Sequence, residues 1–163
     1  MELPGVGGAS LKVVSCNNSA IGLNDPIPLK IQKLIEKLKS DKINVREKAI
    51  RSLGLMGEDA RTAIFALSET LSKDIDPYIR AIAAWALGYI GSEKAGPPLA
   101  EACLRDKNEY VRWAAVEALG RSGIDKRTIV SVLTEALSDE NKYVRGEANN
   151  ILSTIQQRLK TTL

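Results

Sequence analysis

Apolar and polar positions along the chain alternate on two scales. Leu38, Leu71, Leu104 and Leu137 recur every 33 residues, and an acid follows each: Asp41, Asp74, Asp106 and Asp139. Next comes an apolar residue joined to arginine, as Val45-Arg46, Ile79-Arg80, Val111-Arg112 and Val144-Arg145, and then Ala49, Ala83, Ala115 and Ala148. A fixed long period of this kind is the signature of stacked repeats. Within one unit Ile79, Ala83, Ala86, Leu87 and Ile90 fall at helical spacing and lay one apolar stripe, which predicts a first helix. Leu53-Gly54, Leu87-Gly88 and Leu119-Gly120 continue the unit, followed by Gly57, Gly91 and Gly123, whose freedom at positive φ suits the end of a helix. In the fourth unit Leu152 is kept, but Ser153 and Gln156 replace the glycines, as at the end of a stack.

The helix starts have matching chemistry. Asp76, Asn108 and Asn141 stand at N-cap positions, and Pro77 fits a first turn. Lys42 occupies that place in the first unit, which leaves Asp41 to cap. A second helix carries Ile64, Leu67 and Leu71 in one unit and Val130, Leu133 and Leu137 in another, with Ser92 and Asp125 as caps. One such hairpin cannot bury its stripe alone and must stack on neighbours. The chain therefore reads as all-α, an α-solenoid of about four stacked helical hairpins. Ile31, Leu34 and Leu38 align with Ile64, Leu67 and Leu71, so the solenoid, residues 26–163, begins with a capping helix that lacks its own first helix. It ends with another capping helix, polar on its outer side through Asn149, Asn150, Gln156, Gln157 and Arg158. Residues 1–25 are rich in Gly, Asn and Ser without periodicity and are expected to form an irregular or mobile arm.

Composition narrows the chemistry. The 163 residues are 44% apolar but only 4% aromatic, so the core must be built from Ala, Leu, Ile and Val. The chain has no histidine, which removes His-based general catalysis, Ser-His-Asp and Cys-His nucleophiles, and nearly every zinc site without a Cys cluster. Cys16 and Cys103 form no framework, so a reducing, cytoplasmic setting is expected. No apolar run is long enough to span a bilayer, and no membrane partner is expected. A net charge of +3 selects no partner.

Four units with Asp-x5-Arg (Asp-x4-Arg in the first), a Leu before it and Ala, Leu and Gly after it, resemble HEAT repeats, close to the phycobilin-lyase type. The likeness covers residues 26–157, and the signatures of tetratricopeptide and ankyrin repeats are missing. It implies a right-handed, armadillo-type superhelix, protein binding, and second helices that line the concave side. It also implies that Arg46, Arg80, Arg112 and Arg145 reach the aspartate of an adjacent repeat; a charge-assisted ladder is preferred here to a phosphate-binding stripe.

A second basic column, Arg61, Lys94 and Arg127, falls on the first turn of the second helices, outside the leucine stripe. Phe65, Ser68 and Ser72, then Pro98, Glu101 and Arg105, then Ser131, Thr134 and Ser138 share its ridge, with Glu69 and Glu135 beside them. This ridge is the expected partner-binding surface, and Phe65, the one Phe of the chain, is its expected anchor. Tyr78, Tyr110 and Tyr143 align and are expected to pack on one another, and Trp85 and Trp113 to fill local gaps. Cys103 reads as a small helix residue. The expected function is a non-enzymatic scaffold or adaptor for another protein, without cofactor, catalytic residue or metal site. A bilin lyase-like or chaperone-like subunit, suggested by the repeat subtype, and a weak nucleic-acid binder are the alternatives; a small-molecule ligand is not expected. Iron-dependent hydroxylases built on HEAT repeats are set aside, because their metal ligands include His-Glu pairs.

Overall fold

A computed structural model describes residues 27–160, with side chains to 158, and within them every regular element is helical. The arm expected at residues 1–25 lies outside the described residues. Among the described residues, helix α1, Leu29–Lys37, precedes three hairpins and a long helix α8, Lys142–Lys160. The first helices of the units are α2 (Ile43–Leu55), α4 (Pro77–Ile90), α6 (Glu109–Arg121) and α8 (Lys142–Lys160). The second helices are α3 (Ile64–Lys73), α5 (Gly96–Arg105) and α7 (Lys126–Ala136). First helices pack on first helices in the order α2, α4, α6, α8, and second on second, α3, α5, α7, which is the layered stack of an α-solenoid.

The core is the repeat motif made solid. Ala49, Ala83, Ala115 and Ala148 are buried, as are Leu53, Leu87 and Leu119, and Ile79, Val111 and Val144. Each buried Leu or Ile contributes roughly 1.5–3 kcal/mol of transfer free energy. Val45 is only half-buried, because among the described residues no earlier first helix covers it. Glycine at the Leu-Gly positions lets the first helices approach closely. A Cβ on Gly88 would stand 2.8 Å from the Ala118 Cα, and one on Gly54 would stand 2.7 Å from the Trp85 ring.

Most caps follow the sequence. Asp76 accepts from the backbone N–H of Tyr78, Asn108 from Tyr110 and Val111, Asn141 from Tyr143, Ser92 from Lys94, and Asp125 from Arg127 and Thr128. Gly57 and Gly91 take positive φ, 54° and 67°. Gly123 does not; its role is close approach, since a Cβ there would lie 2.8 Å from the Gly91 carbonyl oxygen.

The first unit corrects the reading of Asp41, which does not cap α2. Ser40 Oγ accepts the Lys42 N–H, as Asp74, Asp106 and Asp139 accept those of Asp76, Asn108 and Asn141. Ser40 is therefore the residue in the register of the aspartates, six before its arginine as they are before theirs, and Asp41 is one place out of step.

Candidate functional site

Three of the four arginines of the column, Arg46, Arg80 and Arg112, are internal scaffolding; Arg145, expected to do the same, donates to the Asp139 and Glu140 carbonyls of its own turn and to no carboxylate among the described residues. Nε and Nη2 of Arg46 donate to both oxygens of Asp74, at 2.8 and 3.1 Å. Arg80 holds Asp106 at 2.8 and 2.9 Å, and Arg112 holds Asp139 at 2.8 and 3.1 Å. Each bidentate pair joins one repeat to the next, largely out of water, and the geometry is the strong one for guanidinium and carboxylate. Burial pushes the Asp106 and Asp139 carboxyls up. The arginine forks, with the backbone N–H groups of Asn108 and Asn141, outweigh it and hold both below the usual carboxylate range. The same bonds raise Arg80 and Arg112.

The tyrosines do not pack on one another as expected. Tyr78 donates its hydroxyl to Glu47 at 2.6 Å and accepts from Arg51 at 2.8 Å; Tyr110 stacks on Trp113 and Tyr143 lies by Lys142. Each ring is engaged on its own helix or, for Tyr78, on the preceding first helix α2, and not by its register mate. Trp85 and Trp113 are half-buried against the core, and Trp85 also meets the Tyr89 ring, 4.4 Å between centroids. Burial pushes the Cys103 thiol up to about 12, so it is neither nucleophile nor ligand at neutral pH.

The exposed ridge runs along the second helices. Phe65 on α3 is 82% exposed. Glu69, Glu101, Arg105, Ser131 and Glu135 are exposed on α3, α5 and α7, while Ser68 and Pro98 are half-buried. Ser68 is partly turned inward, since its hydroxyl donates to the Ile64 carbonyl. Within the basic column only Arg127 sits on an α-helical first turn. Arg61 and Lys94 lie in 3-10 segments, Gly57–Ala63 and Glu93–Ala95, which lead into α3 and α5. Arg61 pairs with Glu58 at 3.0 Å, whereas no ion pair engages Lys94 or Arg127 among the described residues. Lys73 pairs with Glu69 at 2.9 Å, which lowers that carboxyl, and Arg105 pairs with Glu101 at 3.4 Å.

Between these helices lie two clefts. One of about 680 Å³ separates α3 from α5, with Pro98, Glu101 and Arg105 on one wall, Leu71, Ser72 and Lys73 on the other, and the Arg80–Asp106 pair among its lining. Another of about 400 Å³ lies between α1 and α3 and includes Glu69, Thr70, Ile35 and Leu38. Ile75 and Lys107, from the turns after α3 and α5, line the larger cleft and were not anticipated. Ile75 is 89% exposed, and its signal was an aliphatic residue in a turn where the other units carry Lys107 and Glu140.

A row of first helices locked by arginine–aspartate pairs, with a row of second helices left open to solvent, defines a helical-repeat protein. The chain belongs to the HEAT-repeat family: the HEAT-repeats model matches residues 31–120 and 96–162. It is similar to a HEAT repeat-containing taxis protein of Halobacterium salinarum, with 29% identity over 133 residues, 72% of this chain and 32% of the relative, so it spans about a third of that protein. It is also similar to human deoxyhypusine hydroxylase in complex with glycerol, at 27% identity and TM-score 0.66 over 78% of this chain and 43% of that one. A designed armadillo repeat protein, at 19% identity and TM-score 0.53 over 76% of this chain and 63% of that one, shares the fold alone. The match establishes HEAT repeats, not the phycobilin-lyase subdivision. No described helix is long and apolar enough to cross a membrane.

Proposed function

We propose that the chain is a non-enzymatic scaffold that holds a segment of another protein against its second-helix face. The observation that carries this reading is Phe65, a large ring 82% exposed on a face where each of the three hairpins also contributes a cation and a hydroxyl or carboxylate at register positions. Burying such a ring on a partner is the usual form of a binding hot spot, and the flanking charges select what lies around it. Intrahelical pairs occupy Glu69 and Glu101, so Lys94 and Arg127 are the cations freest to meet a partner's acids. HEAT repeats commonly mediate protein interactions, and membership in the family is in keeping with this use. The hydroxylase likeness is one of fold and adds no chemistry, because the chain has no histidine from which to build a His-Glu ligand set.

The test is capture of partners by the wild-type chain and by the triple variant Phe65→Ala, Arg61→Glu, Arg127→Glu. All three side chains are exposed, so the fold is expected to survive and capture to fall; undiminished capture by a folded variant discards this surface. A bilin added to the chain is expected to leave its absorbance unchanged, and a shifted band would revive the lyase-like alternative. Glu69, Glu101 and Glu135 on the same ridge oppose a polyanion, so anisotropy with labelled DNA at low salt is expected to stay flat.

A further inference from the structure

The steps of the arginine ladder differ most at Nη2. In each of them Nε and Nη2 hold the aspartate of the next unit, while Nη1 of Arg46, Arg80 and Arg112 donates to the carbonyl oxygens of Ser40, Asp74 and Asp106 at 2.9, 3.0 and 2.9 Å. An Nη2 amino group carries two hydrogens, and the aspartate takes only one of them. For Arg112 the second acceptor is Glu140, the residue after Asp139, at 3.0 Å. Glu140 is 85% exposed, so a carboxylate reaches this edge of a buried guanidinium from the solvent side. The residue after Asp106 is Lys107, whose side chain has no acceptor to offer, and Nη2 of Arg80 has Asp106 as its one acceptor among the described residues. Arg80 is 4% exposed and lines the 680 Å³ cleft between α3 and α5. Arg46 is in the same position, with Ile75 after Asp74, but it lines neither cleft.

We propose that the α3–α5 cleft takes a carboxylate from an acidic segment of a partner protein, seated on Nη2 of Arg80 as Glu140 is seated on Arg112. The inference rests on the reading of the second-helix face as the binding face, and it names the chemistry of what binds there. The molecule supplies its own precedent, since the same donor on the same kind of step already accepts a carboxylate once. Charge on the cleft walls agrees. Asp74 and Asp106 are each held by two bonds from a ladder arginine, and Glu101 is tied to Arg105 at 3.4 Å. Lys73, Arg105 and Lys107 are exposed on the same walls, and Lys107 has no ion pair among the described residues. An incoming segment thus meets three exposed cations and one exposed acid, and the exposed pairs that Lys73 and Arg105 make within their helices are weak enough to be exchanged. A charge-assisted bond to a guanidinium already fixed by Asp106 and by the Asp74 carbonyl needs no reordering of the arginine. The apolar half of the recognition is Ile75, 89% exposed at the cleft, which an aliphatic side chain next to the acid would cover.

The experiment uses the full chain with arginine side chains labelled with ¹⁵N and their signals assigned through bonds from the backbone. Acetyl-Leu-Glu-Leu-methylamide, acetyl-Leu-Gln-Leu-methylamide and inorganic phosphate are titrated. The Glu peptide is expected to shift the Arg80 guanidinium signals saturably, and the Gln peptide to bind about tenfold more weakly or worse. The Arg112 signals are expected to stay in place, since Glu140 already holds that edge. Lys107 is exposed, so Lys107→Glu is expected to fold; its carboxylate, in the register of Glu140, fills the Arg80 edge from within and abolishes peptide binding, whereas Lys107→Gln weakens it less. The variant Phe65→Ala, Arg61→Glu, Arg127→Glu changes no residue of the cleft and is expected to bind the Glu peptide as the wild type does. Partner capture by that variant and peptide binding by Lys107→Glu therefore report on the ridge and on the cleft separately. No saturable shift at Arg80, equal binding of the two peptides, undiminished binding by folded Lys107→Glu, a matching response at Arg112, or tighter binding of phosphate than of the Glu peptide would each overturn the assignment.

Discussion

Replacing Arg80 with methionine keeps most of the stem volume and removes the guanidinium that joins the second and third repeats. Both side chains of the pair are largely buried, Arg80 5% and Asp106 10% exposed. The substitution deletes two bonds to Asp106 at 2.8 and 2.9 Å, one to the Asp74 carbonyl at 3.0 Å and one to the Ile75 carbonyl at 3.4 Å. Asp106 is left with the Asn108 N–H and, as countercharge, only the weaker field of the exposed Lys107. Breaking one side of a buried pair costs about 3–5 kcal/mol, most of it the penalty of the stranded charge. Exposed Arg105, paired with Glu101 at 3.4 Å, is the control, and Arg105→Ala is expected to cost under about 1 kcal/mol. Urea unfolding followed by circular dichroism gives both values, provided the m-value is unchanged. The double variant Arg80→Met, Asp106→Leu removes the stranded charge and is expected to recover part of the loss, so the cycle yields a coupling energy. A loss below about 1 kcal/mol for Arg80→Met, similar to the exposed control, would refute the view that the ladder holds the repeats together.

Other expectations use the same coordinates. Gly88→Ala places a Cβ 2.8 Å from the Ala118 backbone and is expected to cost about 1–3 kcal/mol by thermal melting, whereas Gly146→Ala, with nothing within 4 Å on α8, is expected to gain about 0.5–1 kcal/mol. Asp106 and Asp139 titrate lower in the folded chain than in the unfolded one, so their contribution is present above the unfolded value near pH 4 and is lost as pH falls through the folded values; Asp106→Asn is expected to flatten the acid limb of stability against pH. In a Cys16→Ser background, Cys103 is expected to react with a thiol reagent at pH 8 roughly a thousandfold more slowly in the folded than in the unfolded chain; equal rates would contradict its burial.

The ladder was legible because its chemistry recurs, an acid and an arginine at one offset three times over, and because the HEAT resemblance implies that such an arginine reaches the aspartate of an adjacent repeat. The caps were legible for the same reason, since Asp76, Asn108 and Asn141 need only their own next two residues. Ser40 was not, because matching by residue type favours the neighbouring Asp41, and only the hydrogen bond to Lys42 reveals which position the backbone treats as equivalent. The tyrosine contacts were misread because register says which residues align, not how far apart successive helices hold them; Tyr78 finds Glu47 and Arg51 first. Gly123 looked like a left-handed turn residue, yet α6 ends through Ser122 instead, and the glycine is needed for the 2.8 Å approach to Gly91. On the candidate ridge, exposure of Phe65 followed from its position outside the leucine stripe. The clefts did not, since their volume depends on how far second helices stand apart, and Ile75 enters one from a turn that carries no periodic signal.

A photocrosslinking amino acid placed singly at Phe65, Pro98 and Ser131 on the second helices, and at Lys48 and Tyr110 on the exposed side of the first helices, tests the division of labour between the two rows most directly. Crosslinks to captured protein are expected from the three second-helix positions and not from the other two. Crosslinks of equal strength from both rows, or from Lys48 and Tyr110 alone, would contradict it.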